Sequence, residues 1–287
     1  MANLKELRNR IVSIGSTMQI TSAMKMVSAA KLKRAQDSII KMRPYAEKLT
    51  EILQNLSATL DTSENQFAIQ REVNNVLIIP VTSNRGLCGA FNSQVLKRSR
   101  NLVAQYKQQG ANVKVMTIGK KAFDNFKKGG AELVGSEIEI WNDLSFENAS
   151  VIAENLMQGF LNGDFDKVIL VYNHFKNAAS QEVLEEQFLP VKPVEGDRTA
   201  TSDYIFEPGK REILEDLIPK SLKTQVFKAL LDSNASEHGA RMTAMHKATD
   251  NAKELQGDLK LEYNKARQAS ITNEILEIVG GADALEG

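Results

Sequence analysis

The sequence predicts an α/β protein in which long N- and C-terminal helices form an antiparallel coiled coil, next to a central Rossmann-like α/β domain with a mostly parallel sheet. Three observations lead to this prediction. Apolar residues recur at helical spacing near the start, helix-forming residues dominate the last third, and apolar runs alternate with amphipathic stretches in between. The predicted segments are an N-terminal helix over 1–60, an α/β domain over 61–209 and a C-terminal helix over 210–287.

Apolar residues in the first helix follow an alternating spacing of three and four. Of seventeen positions stepped in this way from Leu4 to Leu60, fourteen are apolar, and the phase never slips. This pattern is typical of a coiled-coil seam over about eight heptads, in a helix roughly 85 Å long. Pro44 falls inside the helix and predicts a kink there. A single helix of this length cannot bury its seam alone, so a partner helix is expected.

The C-terminal segment supplies that partner. Alanines recur every four residues from Ala240 to Ala252, which lets two helices approach closely. Stepping by threes and fours from Met245 to Leu276, through positions 255, 262 and 269, gives eight apolar residues out of ten. Helices at opposite ends of the chain, with an insert between them, are expected to run antiparallel. The C-terminal helix is the longer one, so its tip should project beyond the pair.

The central segment alternates between apolar runs and amphipathic stretches, which indicates βαβ units. Strands are expected at 74–83, 114–119, 167–175 and 182–191, and helices at 92–109, 120–130 and 146–162. The polar stretch 195–209 then leads into the C-terminal helix.

Charge and cysteine content limit the functional classes. The net charge is zero, but residues 1–48 hold ten Lys or Arg against three Asp or Glu, so the first helix is basic. Within it, residues 11–24 carry no charge over four helical turns, which a two-helix contact alone does not explain and which suggests enclosure by another protein. The single cysteine fits a reducing compartment, and no apolar run is long enough to span a bilayer or to form a secretion signal.

No constellation of an active site stands out. The loop SNRGLCGAF follows the first predicted strand, but its two glycines match neither GxGxxG nor the P-loop, so a tight turn is favoured over a nucleotide site. Cys88 lacks a partner that the sequence could place and is expected to be a small buried residue. His238 and His246 are two turns apart, too far for a metal pair on one helix, and Glu185 and Glu186 are expected to be solvated edge charges.

Three segments bring a known family into view. ITSAMKMVSAAKLKRAQ near the start, SNRGLCGAFN in the middle and RMTAMHKATDNAKELQGDLKLEYNKARQASITNEILEIVGGADAL at the end closely resemble the gamma subunit of F-type ATP synthases. The resemblance covers the whole chain. It implies that the two terminal helices form the antiparallel shaft of a rotary motor, which couples ion flow through the membrane sector to ATP synthesis from ADP and phosphate.

The resemblance also implies partners and contact residues. The shaft would enter a hexamer of alpha and beta subunits, which hold the nucleotides, and its foot would meet the epsilon subunit and the c-ring of the membrane sector. The chain itself would bind no nucleotide, cofactor, metal or nucleic acid, and would have no catalytic residue. The absence of a transit-type leader favours a peripheral protein on the cytoplasmic face of a bacterial inner membrane. Eight residues match positions where the shaft of this family contacts the beta subunits: Met24, Lys25, Met26, Arg241, Arg267, Gln268, Thr272 and Glu274.

Two other interpretations stay open at this point. One is a nucleotide-dependent α/β enzyme with helical extensions, and the other is a coiled-coil scaffold or nucleic-acid binder that works through the basic first helix. Micromolar binding of ATP or NAD would favour the first. A steep salt dependence of DNA binding would favour the second.

Overall fold

The computed structural model describes residues 4–57, 66–178, 180–191 and 210–286. Its elements, in chain order, are α1 (Leu4–Ser57), β1 (Asn75–Pro80), α2 (Phe91–Gln108), β2 (Asn112–Ile118), α3 (Lys120–Lys128), β3 (Glu132–Glu137), a short 3-10 helix (Glu139–Trp141), α4 (Phe146–Leu161), β4 (Lys167–Phe175), β5 (Gln181–Leu189) and α5 (Lys210–Glu286). The predicted end helices and βαβ units are therefore confirmed. None of the described helices has a stretch apolar and long enough to cross a bilayer.

The five strands form one sheet in the order β3-β2-β1-β4-β5. Strands β1 to β4 are parallel to their neighbours, and β5 runs antiparallel to β4. The mostly parallel sheet is thus confirmed. The sequence prediction missed β3, because its residues ELVGSE alternate between exposed and partly buried positions at the sheet edge and include no apolar run.

Helices cover both faces of the sheet. Along β1, Val76 and Ile78 point to the face that holds α2, whereas Leu77, Ile79 and Val81 point to the face that holds α4. This alternation follows from the two-residue period of a strand. Helix α3 lies on the α2 side, where Ala122 and Phe126 pack against Leu96.

The first part of α5 also belongs to this core. Four of its residues pack into the cluster formed by α4 and the sheet. The sequence prediction assigned α5 only to the coiled coil and missed this contact. Its signal was present as apolar residues at helical spacing in the segment, namely Leu222, Val226, Ala229 and Leu230.

The seam predicted for α1 is confirmed wherever the side chains are described. Each seam position from Leu4 to Leu49 is buried or partly buried, including Leu7, Leu32 and Ala35. Pro44 lies within α1, so the helix continues past it, and the kink stays a prediction.

The chain divides into two compact units. One holds the described residues 4–27 and 242–286, and the other runs from Ser28 to Arg241 and contains the sheet. Each unit therefore has a share of both long helices.

Candidate interface on the paired helices

In the first unit, α1 and α5 pair in an antiparallel manner. The carbonyl oxygen of Ile11 accepts a hydrogen bond from Gln256 Nε2 at 3.4 Å. Ten positions further along α1, the hydroxyls of Thr21 and Thr249 lie 2.8 Å apart. Because the α5 partners decrease in number as the α1 residues increase, the two helices run in opposite directions. The antiparallel pairing predicted from the sequence is confirmed for this segment.

A glycine on α1 makes room for the Gln256 side chain. A Cβ on Gly15 would lie 2.8 Å from Gln256 Nε2, so the space that a side chain would occupy is taken by the glutamine amide. The amide reaches the Ile11 carbonyl, four residues earlier, through this gap. Gly15 thus lets a long polar side chain of α5 enter the seam of α1.

The seam along α5 differs from the predicted one. Stepping by threes and fours from Met245 to Leu276 predicted burial at 255, 262, 269, 273 and 276, but these five positions are exposed. In the structure Thr249, Gln256 and Tyr263 are partly buried instead. They alternate along α5 with the buried residues Ala252 and Leu259. The prediction was wrong because it counted only apolar residues, whereas the polar residues Thr249 and Gln256 occupy seam positions and hydrogen-bond across the pair.

The outer side of α1 lacks charge and is partly apolar. Val12 is 64% exposed and Ile20 is 60% exposed, although both lie in the uncharged segment 11–24. The hydroxyls of Ser16 and Thr17 donate to carbonyl oxygens of the preceding turn, so their polarity is largely satisfied within the helix. A side of this kind has little to gain from water and is suited to contact with another protein.

The three predicted contact residues of α1 follow this segment. Met26 is 65% exposed, whereas Met24 and Lys25 are partly buried. The Lys25 Nζ lies 3.4 Å from His246 Nδ1 on α5. Met26 is therefore available to a partner, while part of Lys25 is directed toward the other helix of the pair.

Four predicted contact residues of α5 lie on an exposed stretch. Arg267, Gln268, Thr272 and Glu274 are all exposed. The Thr272 hydroxyl donates to the Gln268 carbonyl at 2.9 Å, and Ser270 donates to the Glu274 carboxylate at 3.3 Å. These local bonds hold two of the polar heads against the helix and leave the guanidinium of Arg267 at the surface.

Every residue from 271 to 282 is exposed. The stretch is rich in large apolar side chains, which a solvated helix would normally avoid. No residue of α1 covers them within the described part of the chain. The apolar side chains are Ile271, Ile275, Leu276, Ile278 and Val279.

Arg241, the eighth predicted contact residue, has an internal environment. It is only 9% exposed and forms an ion pair with Glu237 at 2.6 Å. Its second nitrogen donates to the carbonyl oxygens of Arg85 and Gly86, in the loop between β1 and α2. Burial raises the pKa of the Glu237 carboxyl, although the Arg241 guanidinium opposes the shift. Arg241 thus connects α5 to this loop through hydrogen bonds.

The same loop confirms the predicted tight turn and the buried cysteine. Gly89 has a φ of 59°, a conformation that favours glycine, and Cys88 is buried against Phe91 and Ala240. Burial raises the pKa of the Cys88 thiol. Nearby, Asn84 accepts a hydrogen bond from the first backbone N–H of α3, so this part of the loop already caps a helix.

Sequence reasoning missed a polar contact between β4 and α5. His174 Nδ1 lies 2.6 Å from a carboxylate oxygen of Asp232, and Ser236 donates to the carbonyl oxygen of Asn173. Burial raises the pKa of Asp232, while the neighbouring His174 lowers it. The residues are 58 positions apart in the first pair, so only the fold brings them together. No cluster of three or more potential metal ligands occurs among the described residues.

The comparisons with known proteins agree on one family. A family profile described as ATP synthase matches residues 3–285. The chain is 62% identical to the ATP synthase gamma chain of Christiangramia forsetii and 62% identical to that of Flavobacterium johnsoniae, with 100% of each chain covered in both cases.

Solved structures agree with this fold. The central stalk and c-ring of the Tetrahymena thermophila mitochondrial ATP synthase include a chain that is 27% identical, with a TM-score of 0.61 over 80% of this chain and 99% of that one. A chain of the Euglena gracilis mitochondrial ATP synthase, in an assembly of OSCP, F1 and c-ring, is 22% identical and has a TM-score of 0.69 over 98% of this chain and 94% of that one. The second similarity shows the fold alone.

Proposed function

The chain belongs to the ATP synthase gamma-chain family, and we propose that it is the central rotor shaft that couples ion flow through a membrane sector to ATP synthesis. The synthesis itself takes place in a hexamer of alpha and beta subunits. The chain is a subunit of a membrane-associated ATP synthase. Its own role is mechanical, so it has no catalytic residue and binds no nucleotide or cofactor.

One observation carries this proposal. The antiparallel pair of α1 and α5 keeps exposed apolar surface on its outside, at Val12 and Ile20 of α1 and over 271–282 of α5. A pair that served only to stabilise the chain would bury such residues in its seam and present charges outward. The exposed apolar side chains are therefore expected to lie inside a sleeve of other subunits.

The sides of the pair differ from one another. The outer side of α1 is uncharged over 11–24, whereas the exposed stretch of α5 begins with Arg267 and continues through Glu274. Such a shaft contacts three otherwise equivalent sites differently and biases each site by its difference in contact free energy. A complete shift of a two-state site requires about 5.5 kcal/mol of bias. Rotation transfers this bias from one site to the next.

We assign the individual contacts on the basis of exposure. Met26 on α1 and the polar patch of α5 are proposed to touch the beta subunits in turn, and the apolar side chains of Ile275, Leu276, Ile278 and Val279 are proposed to turn in an uncharged bearing. Met24, Lys25 and Arg241 stay in the predicted contact set, but their partial or full burial makes them supports of the contact surface. The α5 patch consists of Arg267, Gln268, Thr272 and Glu274.

The remaining proposals concern assembly and location. The sheet-bearing unit is proposed to meet the epsilon subunit and the c-ring at the cytoplasmic face of a bacterial inner membrane. The segments 1–60 and 210–287 are proposed to act as the shaft and 61–209 as its foot. No nucleic acid takes part.

Co-purification tests the proposal directly. The full chain, expressed with alpha and beta subunits, should elute with them in one complex that hydrolyses ATP in discrete rotary steps. A chain with Leu32→Asp, which places a carboxylate in the buried seam, should fold poorly and give an uncoupled complex. A chain with Ala30→Asp, at an exposed position two residues earlier, is the matched control and should assemble normally. Failure of the unaltered chain to associate with the hexamer would contradict the proposal.

A further inference from the structure

The helices on one face of the sheet carry a dense positive charge that the shaft proposal does not use. Residues 91–130, which include α2 and α3, contain nine Lys or Arg and one acidic residue, Asp124. Residues 131–166, which include β3 and α4, contain eight Asp or Glu and no Lys or Arg. Because α2 and α3 lie on the opposite face of the sheet from α4, the acidic residues of α4, Glu147 and Glu154, are separated from these basic residues.

The basic side chains lie on two helices that pack against each other. On α2, Lys97, Arg100 and Lys107 are spaced by three and seven residues, so they lie along one side of the helix over about 15 Å. On α3, the basic residues occupy both ends of a short helix that packs against α2, so the basic residues of the two helices are neighbours on one face of the unit. We call this surface the cationic face; its members, all exposed, are Lys97, Arg98, Arg100, Lys107, Lys120, Lys121, Lys127 and Lys128.

The protein neutralises little of this charge by itself. Arg98 forms an ion pair with Glu185 of β5, and Lys127 lies 5.3 Å from the ring centroid of Phe123. Within the described part of the chain, the seven other members form no ion pair. Asp124 is partly buried and adds one negative charge. Several like charges held this close repel one another, so a negative partner that approaches them gains free energy.

We propose that the cationic face is a docking surface for an acidic segment of another protein. Guanidinium groups bind carboxylates with two parallel hydrogen bonds, and Arg98 already holds a carboxylate in this structure. The exposed positions between the basic residues of α2 are rich in amide side chains that can hydrogen-bond to a peptide, namely Gln94, Asn101, Gln105 and Gln108.

A protein segment fits this face better than a lipid surface does. Neither α2 nor α3 exposes a large apolar side chain that could enter a bilayer. A second copy of this chain is a weaker candidate, because its acidic side would meet the cationic face head to tail and would generate an open chain of subunits. The inference goes beyond the shaft proposal, because the cationic face lies across the sheet from the first part of α5, Leu222 to Leu230, and takes no part in the helix pair.

Peptide binding to the full chain tests the inference. The probe is a synthetic glutamate-rich peptide, and its glutamine counterpart of equal length is the negative probe. Replacing four members of the cationic face should weaken binding of the acidic peptide by about tenfold, with a shallower salt dependence. Four exposed lysines of α5 provide a control of equal charge, whose replacement should leave binding unchanged. The test variant is Lys97→Gln, Arg100→Gln, Lys120→Gln and Lys127→Gln; the control is Lys247→Gln, Lys253→Gln, Lys260→Gln and Lys265→Gln.

Three results would overturn the inference. Equal loss in the test and control variants would show a non-specific charge effect. Tighter binding to phosphatidylglycerol vesicles than to the peptide, lost in the test variant, would assign the face to a membrane. Self-association of the unaltered chain that disappears in the test variant would assign it to a second copy. Circular dichroism of each variant checks the fold, and a salt titration of the unaltered chain should show a steeper dependence than that of the test variant.

Discussion

The apolar side chains on the outside of α1 should serve assembly and contribute little to the stability of the isolated chain. Val12 and Ile20 lie outside the seam, and roughly three fifths of each side chain is exposed. Leu7, in contrast, lies in the seam and is 3% exposed. Substituting alanine at these positions therefore separates the two roles, because alanine preserves the helix and removes only apolar surface.

The magnitude follows from the number of carbon atoms removed. The double variant Val12→Ala and Ile20→Ala loses five methyl or methylene groups, which is about 4 kcal/mol if all of them become buried. About three fifths of this surface is still exposed in the free chain, so about 2.4 kcal/mol depends on the partner. The affinity for the hexamer should fall roughly fiftyfold.

Two measurements on the same preparations test whether Val12 and Ile20 serve assembly or stability. Titration of the full chain with alpha and beta subunits gives the affinity, and urea unfolding gives the free energy of unfolding. The double variant should bind more weakly and lose at most about 1.6 kcal/mol of unfolding free energy, the part of the 4 kcal/mol that belongs to surface already buried in the free chain. Leu7→Ala should instead lose about 3 kcal/mol of stability. Unchanged affinity in the double variant would refute the inference that a partner encloses this side of α1.

Three further predictions concern single sites. Gly15→Leu should displace the Gln256 amide and destabilise the helix pair by about 2 kcal/mol in urea unfolding, whereas combining it with Gln256→Ala should recover at least half of the loss. Burial, Arg241 and Lys31 lower the pKa of His238 to about 4. Between pH 4 and the ordinary histidine pKa of about 6.5, the unfolded chain therefore binds more protons than the folded chain. The free energy of unfolding should fall as the pH decreases through this window. His238→Gln should flatten that part of the stability profile, and an identical slope in the variant would contradict the assignment. Arg241→Met leaves the Glu237 carboxylate buried without its partner and should cost about 3 kcal/mol, of which Glu237→Gln in the same chain should restore most; no recovery in thermal unfolding would show that the loop contact of Arg241 dominates.

Much of the fold could be predicted because its signals are local. The seam of α1 repeats over many turns, so the burial of Leu7, Leu32 and Leu49 follows from spacing alone. The strands β1 and β4 are uninterrupted apolar runs, as expected for central strands with helices on both faces. Strand β3 lacks this signal because it lies at an edge, where backbone pairing with β2 determines its conformation.

The register of the helix pair could not be predicted in the same way. Polar residues such as Gln256 were counted as outward-facing, although Gly15 on the other helix creates the space that admits one of them. That fit depends on two residues 241 positions apart, and only the pairing of the helices shows which residue opposes which. The burial of Arg241 could not be predicted for the same reason, because the carbonyl oxygens of Arg85 and Gly86 that it hydrogen-bonds lie far away in the sequence.

The exposed stretch of α5 was predicted from resemblance, and the structure adds a physical reason for it. Leu276 and Ile278 are exposed although they are large and apolar, which the free chain alone does not explain. Which subunit covers them, and in which order, depends on partner surfaces that this sequence does not encode.

Cysteine cross-linking tests the central claim, that the two ends of the chain form one antiparallel shaft. In a Cys88→Ser background, Thr21→Cys with Thr249→Cys should form a disulfide under mild oxidation, because the two hydroxyls lie 2.8 Å apart. The control pair Thr21→Cys with Ala266→Cys should not. The cross-linked protein should still assemble with the hexamer and rotate within it, since both helices turn together. Cross-linking of the control pair, or loss of rotation on cross-linking of Thr21→Cys with Thr249→Cys, would contradict the account.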